Sequence, residues 1–211
     1  GAANDTFIRV GLDLGATAVS GALSAANLEA TDVDLIMSTT VTGLSAPSLE
    51  ARLIPLVGLR EDVKRVPMFG LGCVAGAAGI ARLHDYLVGH PDDVAVLLSV
   101  ELCSLTHQHN DVSMTNIVAS GLFGDGAAAV VMVGANRAAR MGLTGPKVVA
   151  SRSRMYPDTD SPPIPPDNDY VDSLKSRVPV EVIANYRQLQ KWGVPEDTYT
   201  YLFSKNLYPL L

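Results

Sequence analysis

Helical and strand-like patterns of apolar residues alternate along this chain. Residues 6–28 place Phe7, Val10, Leu14, Ala18, Ala22 and Ala25 at helical spacing, which predicts a helix with one apolar face. A short strand follows at Val33 to Ser38, then a turn from Gly43 to Pro47. Pro47 stands near the first position of the next helix, and Pro55 is expected to end or bend it. Val66 to Gly70 leads into a glycine-rich turn, after which Ile80, Leu83, Tyr86 and Leu87 predict a helix over 74–88. Pro91-Asp92-Asp93 interrupts the chain before Val94 to Val100, a continuous apolar run that reads as a strand buried on both faces. A helix around Met114 to Ser120, a turn from Gly121 to Gly126 and a second buried strand from Ala127 to Val133 complete the pattern. Alternating strands and helices predict an α/β layered domain.

Composition narrows the function classes. The 47% hydrophobic content and mean hydropathy of +0.20 support a substantial core in 211 residues. A net charge of −6 without a basic stripe argues against nucleic-acid binding. No apolar run approaches the roughly 18 residues that span a bilayer, and no signal-peptide pattern opens the chain, so the expectation is a cytoplasmic protein without membrane contact. The two cysteines, Cys73 and Cys103, suggest neither a disulfide framework nor a metal knuckle. His84, His90, His107 and His109 form no ligand pattern, and His107-Gln108-His109 reads as a solvated loop. The segment 160–169 holds four prolines and reads as an extended linker. Beyond it, 180–192 could form an amphipathic helix, and Leu202, Phe203, Leu207, Tyr208 and Leu210 make an apolar terminus. The expected organisation is a domain over 1–159 and a linker with a tail over 160–211.

Cys73 carries the clearest chemistry. It lies in Phe69-Gly70-Leu71-Gly72-Cys73-Val74-Ala75-Gly76, where a strand hands over to a helix. A cysteine there meets the positive end of the helix dipole and the unpaired first-turn N–H groups, both of which favour thiolate. Gly72, Ala75 and Gly76 leave room for a substrate to reach the sulfur. The competing reading is a buried structural cysteine, and the surrounding glycines weigh against it. A second short motif, Asp13-Leu14-Gly15-Ala16-Thr17, looks like the phosphate loop of actin-like ATPases and sugar kinases. The helical pattern through Ala18, Val19, Ala22 and Ala25 runs across the supposed turn, and no second phosphate-binding segment follows.

Four segments in order resemble the type III polyketide synthases, the chalcone-synthase-like branch of the thiolase superfamily, in an actinobacterial flavour. Thr39 to Ser48 looks like the active-site loop, and Gly72-Cys73-Val74-Ala75-Gly76 looks like the nucleophile motif. Ser99 to Thr106 is similar to the strand and loop lining the acyl pocket, and Leu122-Phe123-Gly124-Asp125-Gly126 to the segment holding a gatekeeper phenylalanine. The resemblance implies a thiolase-like layered αβαβα fold, represented mostly by its N-terminal half. It implies Cys73 as the nucleophile that accepts an acyl group from acyl-CoA for decarboxylative condensation with malonyl-CoA. Phe123 would stand between the CoA tunnel and the cavity, and Cys103, Thr106, Thr42 and Ala119 would be substrate-binding wall residues. Cys103 is read as wall rather than second nucleophile, and Asp125 as holding its turn through backbone hydrogen bonds. No metal and no cofactor beyond the CoA thioesters is implied, and the expected assembly is a homodimer.

The chain also departs from the family. The His of a His-x-Gly-Gly-Pro context and the Asn that follows a Gly, which supply hydrogen bonds to the family's enolate and thioester oxyanion, have no counterpart context in these residues. The resemblance fades near Thr159, and the family carries additional sequence before the equivalent of Ala2, so the reading is of a truncated thiolase half. Two alternatives stand beside the polyketide synthase: a ketoacyl synthase III-like condensing enzyme, and a non-catalytic fragment or interaction subunit.

Overall fold

The protein is described here by a computed structural model covering residues 1–153. The linker, helix and apolar terminus expected over 160–211 lie outside the described residues. Helix α1 spans Ala2–Ala25, β1 Leu35–Thr40, α2 Leu49–Val57, β2 Lys64–Phe69 and α3 Ala75–Gly89. Then follow β3 Val94–Leu102, α4 Met114–Leu122, β4 Asp125–Val133 and a short α5, Ala135–Met141, that the pattern did not predict.

The four strands form one sheet in the order β2-β1-β3-β4. β1 runs parallel to both β2 and β3, with Thr39 opposite Met68 and Ser99, while β4 returns antiparallel to β3. Strand parity sorts β3 between two cores. Val94, Val96, Leu98, Val100 and Leu102 join Phe7, Val19 and Leu23 of α1 and Leu53 of α2. Ala95 and Leu97 face the other way, with Leu35 and Met37, onto Leu83 and Leu87 of α3. The result is helix–sheet–helix, three layers of the thiolase-like architecture, and β3 is buried on both faces as its continuous apolar run predicts.

Two readings of the pattern need correction. The buried stripe of α1 is Phe7, Gly11, Gly15, Val19 and Leu23, rather than the face through Val10, Leu14 and Ala18. The glycines face the sheet because the helix approaches it closely: a Cβ at Gly15 would stand 3.2 Å from Leu98 Cδ2, and one at Gly11 3.4 Å from Val100 Cγ1. Hydrophobicity alone cannot see that preference, which selects the smallest residue. The same packing absorbs the Asp13-x-Gly15-x-Thr17 motif into a helix, with Thr17 Oγ1 donating to the Asp13 carbonyl. Second, β4 is not fully buried. Ala127, Ala129 and Val131 pack toward the α1 core while Ala128 and Val130 are exposed, and β4 lies at the sheet edge among the described residues.

Smaller shifts have local causes. Ser48 is the N-cap of α2, which places Pro47 just outside the helix, and Pro55 is accommodated within it before Gly58 ends it in the left-handed region (φ 82°). Gly134, before α5, sits where a Cβ would meet the Pro91 carbonyl oxygen at 2.4 Å, a backbone atom with no rotamer to yield. Gly134→Ala is therefore expected to destabilise by about 1–3 kcal/mol, lowering the melting temperature by several degrees. Gly21→Ala, on α1 with open space around it, should leave it unchanged or raise it, by up to about 1 kcal/mol of helix propensity. Thermal unfolding of the two variants beside the parent checks the pair.

Candidate active site

The site grows from the direction of the strands. Because β1, β2 and β3 are parallel, their C-terminal ends open on one edge of the sheet, the edge where open α/β sheets place ligands. β1 delivers Thr39 and then Thr42 there, β3 delivers Ser99 and Glu101, and β2 delivers the turn that carries the cysteine. Antiparallel β4 starts at the same edge with Asp125. Between these ends, α3 and α4 lies a cavity of about 1060 Å³.

Cys73 is exposed and sits in a single 3-10 turn, Gly72–Val74, that runs directly into α3. Gly70 (φ 86°) and Gly72 (φ 54°) precede it in the left-handed region, which only glycine adopts without strain. Behind the turn Gly79 presses α3 onto Leu97, where a Cβ would come within 2.5 Å of Leu97 Cδ1. The sequence places Cys73 at a strand-to-helix junction, and the structure puts it there, facing the cavity.

The other residues singled out by the sequence come to the same space: Thr42, Cys103, Thr106, Ala119 and Phe123 all line the cavity with Cys73. Thr106 Oγ1 donates to the Cys103 carbonyl (2.9 Å), closing the 3-10 turn that ends β3. Phe123 caps the C-terminus of α4 in an extended conformation, half exposed. Burial first, then the Glu101 and Asp125 carboxylates, push the Cys103 thiol above its ordinary value, which suits a wall residue.

Two carboxylates that the sequence reading gave no substrate role build the walls. Glu101 accepts from Thr42 Oγ1 (2.7 Å) and from the Val41 amide (3.0 Å), tying the loop after β1 to β3. The Thr42 hydroxyl in turn accepts from the Leu102 amide (2.9 Å). Asp125 accepts from both the amide (2.8 Å) and the hydroxyl (2.6 Å) of Ser104, so its backbone hydrogen bond holds the Cys103–Thr106 turn rather than its own. Parity could have found Glu101: two residues beyond Ser99 on β3, it must face the same side. His107 and His109 lie on an exposed loop, as expected, and that loop is itself cavity wall. No pattern of spacing could have shown this, since the loop is placed by α4.

The FAE1/type III polyketide synthase-like family matches residues 13–147. The chain belongs to that family. A 1,3,6,8-tetrahydroxynaphthalene synthase of Streptomyces peucetius subsp. caesius is 61% identical over 160 residues, 76% of this chain and 42% of that protein. The enzyme of the same name from Streptomyces griseus is 34% identical over 185 residues, covering 84% of this chain and 48% of its own. Among solved structures, the tetrahydroxynaphthalene synthase of Streptomyces coelicolor, a bacterial type III polyketide synthase, superposes with a TM-score of 0.61 at 36% identity, over 63% of this chain and 38% of that one. This chain thus spans less than half the length of these relatives. Among the described residues, no helix is long and apolar enough to cross a membrane.

Two outcomes test the wall construction. Thr42→Val removes both the donor to Glu101 and the acceptor for the Leu102 amide, leaving a part-buried N–H unpaired at a cost of about 1–3 kcal/mol; Thr42→Ser keeps both bonds and should cost clearly less. Urea unfolding compares the two. For Asp125, the Ser104 hydroxyl and amide favour the carboxylate and lower its pKa. Its stabilisation is therefore complete above the unfolded value near 3.9 and is lost as pH falls through the lower folded value. Asp125→Asn should flatten the acid limb of the stability curve below about pH 4, read from melting temperature against pH.

Proposed function

We propose that this chain carries the acyl-loading site of a type III polyketide synthase, with Cys73 as the nucleophile. The observation that supports it best is an exposed cysteine at a glycine-flanked strand-to-helix turn, opening on one cavity with Thr42, Cys103, Thr106, Ala119 and Phe123. In the proposed reaction the Cys73 thiolate attacks the carbonyl carbon of an acyl-CoA. The new C–S bond forms as the bond to CoA breaks, and CoA leaves as its thiolate. Because one thioester replaces another, the step is close to isoenergetic and the acyl group can wait on the enzyme.

Extension follows as a second step. Malonyl-CoA loses CO₂, its enolate carbon attacks the acyl carbon, and the Cys73 thiolate is released. The negative charge on the enolate and tetrahedral oxygens needs donors, and the family's His and Asn contexts are absent from these residues. Loading is therefore the step assigned to Cys73 itself. Phe123 is the proposed gate to the cavity, with Thr42, Cys103, Thr106 and Ala119 as acyl-binding wall. No cofactor beyond the CoA thioesters is invoked, and the same reading assigns the protein to the cytoplasm, where those thioesters circulate.

The proposed assembly is a homodimer. Supporting it, Phe69, Leu71 and Val74 leave apolar side chains exposed in and beside the cysteine turn. The same exposure, with Met114, Ile117 and Leu122 on α4, favours the second reading, a non-catalytic subunit that docks on a partner.

Intact-mass spectrometry of the purified chain after incubation with a long-chain acyl-CoA separates the two. A gain equal to the acyl group, absent in Cys73→Ala, is the expected result. A folded chain with no gain, co-purifying with a partner, would replace the enzyme reading with the docking one.

A further inference from the structure

The two edges of the sheet are built differently. At one edge β2 carries Lys64, Arg65 and Pro67, the charges and missing N–H that keep an edge strand from pairing further. At the other, β4 carries none of these after Asp125: Gly126 to Val133 is uncharged, small and apolar. It pairs one for one with β3, from Asp125 opposite Leu102 to Val133 opposite Val94, so no bulge turns it away from a neighbour. Among the described residues β3 is its only strand partner.

Ladder parity shows which groups are left open. Gly134 N–H donates to the Asp93 carbonyl (2.9 Å), whereas Val94, the next residue of β3, turns its carbonyl to the Asp34 amide before β1 (2.8 Å). Gly126, Ala128, Val130 and Met132 therefore exchange bonds with β3, and Asp125, Ala127, Ala129, Val131 and Val133 turn N–H and C=O to the open edge. The surroundings of that edge are apolar as well. Ala128 and Val130 are exposed on one face of β4, and α1 packs on the other. Beside its buried stripe α1 has half-buried apolar residues on both flanks, Ile8, Leu12 and Ala16 on one and Val10, Leu14 and Ala18 on the other. A helix apolar over that width has more surface to cover than its own sheet takes.

We propose that the β4 edge is a docking surface for a second copy of this chain, with the two β4 strands antiparallel about a two-fold axis. The strand is self-complementary in that arrangement. With Ala129 on the axis, Ala127 meets the partner's Val131 and Asp125 meets the partner's Val133. All five open residues then find a hydrogen-bonded opposite, no like charges face each other, and the two α1 helices lie on the same side of one continuous sheet. Nine residues make an edge about 30 Å long. One strand and one helix deep, it offers on the order of 500–600 Å² per copy, the lower end of a specific interface. The inference is independent of the acyl-loading reading. It also lies at the opposite edge from β2 and the exposed Phe69, Leu71 and Val74 of the cysteine turn, so mutation can separate the two surfaces.

Sedimentation velocity of the full chain over a wide range of concentration reads the assembly, with circular dichroism to show that each variant folds. Val130→Lys places a charge on the exposed face of β4 and leaves the backbone bonds to β3 intact. It should halve the mass of the assembly or weaken its association tenfold or more, an estimate for an unpaired charge at an interface. Ala128→Glu should do the same. Mixing the two variants should restore association, because in this register position 128 of one copy faces position 130 of the other. In the parent, hydrogen exchange at Ala127, Ala129 and Val131 should slow as concentration rises. An assembly that Val130→Lys leaves unchanged would put the contact elsewhere and overturn the proposal. A parent that stays monomeric at every concentration would overturn it too, whether those amides exchange freely or are protected within the one chain.

Discussion

The parallel pairing of β1 with β3 is the constraint from which the rest follows. Each strand buries both faces, which fills it with aliphatic residues; toward the C-terminal ends the α1 side stays covered, with Val100 and Leu102 buried, while the other side opens on the cavity. There the sequence turns polar: Ser38 to Thr42 on one strand and Ser99 to Cys103 on the other. Parallel direction forces those polar ends onto the same edge, side by side. Antiparallel pairing would have sent them to opposite ends, and no cavity lined by both would exist. β2, parallel as well, adds the cysteine turn to the same edge, and β4, antiparallel, adds its beginning rather than its end.

Close helix approach is the second requirement, and glycine supplies it on both sides of the sheet. Gly11 and Gly15 let α1 settle on Val100 and Leu98, while Gly79 lets α3 settle on Leu97. These contacts hold β3 from both faces, and α3 carries the cysteine turn at its start. The height of Cys73 above the cavity is thus fixed by packing one and a half helical turns away, at a residue with no chemistry of its own. Buried Glu50 of α2 hydrogen-bonds Ser38 of β1 (2.5 Å) and ties the other helix to the strand just before its polar end.

What the sequence shows best is whatever one strand or one helix decides alone. The apolar run of β3 and the helical spacing of Ile80, Leu83 and Leu87 needed no partner to be read, and both stand within one or two residues of expectation. The Cys73 turn is legible because glycines spaced as closely as Gly70, Gly72 and Gly76 mark a backbone requirement. The wall residues Thr42, Cys103, Thr106, Ala119 and Phe123 came from resemblance, since their spacing of up to 81 positions (42 to 123) carries no local signal. The errors share a cause as well. On α1 the larger apolar residues predict the wrong stripe, because close contact with the sheet selects the smallest ones, Gly11 and Gly15. β4 looked like β3 in composition, and only its place at the sheet edge tells them apart.

The cavity's electrostatics follow from how its acids are paired. Glu101 and Asp125 spend their lone pairs on loop amides and hydroxyls, so their charge braces the walls rather than reaching into the space. That charge is still felt by neighbours, and together with burial it keeps Cys103 a thiol. The two cysteines therefore differ by environment rather than by type. Cys73 stands exposed where a 3-10 turn feeds a helix, and Cys103 stands between two carboxylates. A negative wall disfavours a second thiolate close to it, so the same pair of acids that braces the walls leaves Cys103 the inert sulfur of the two.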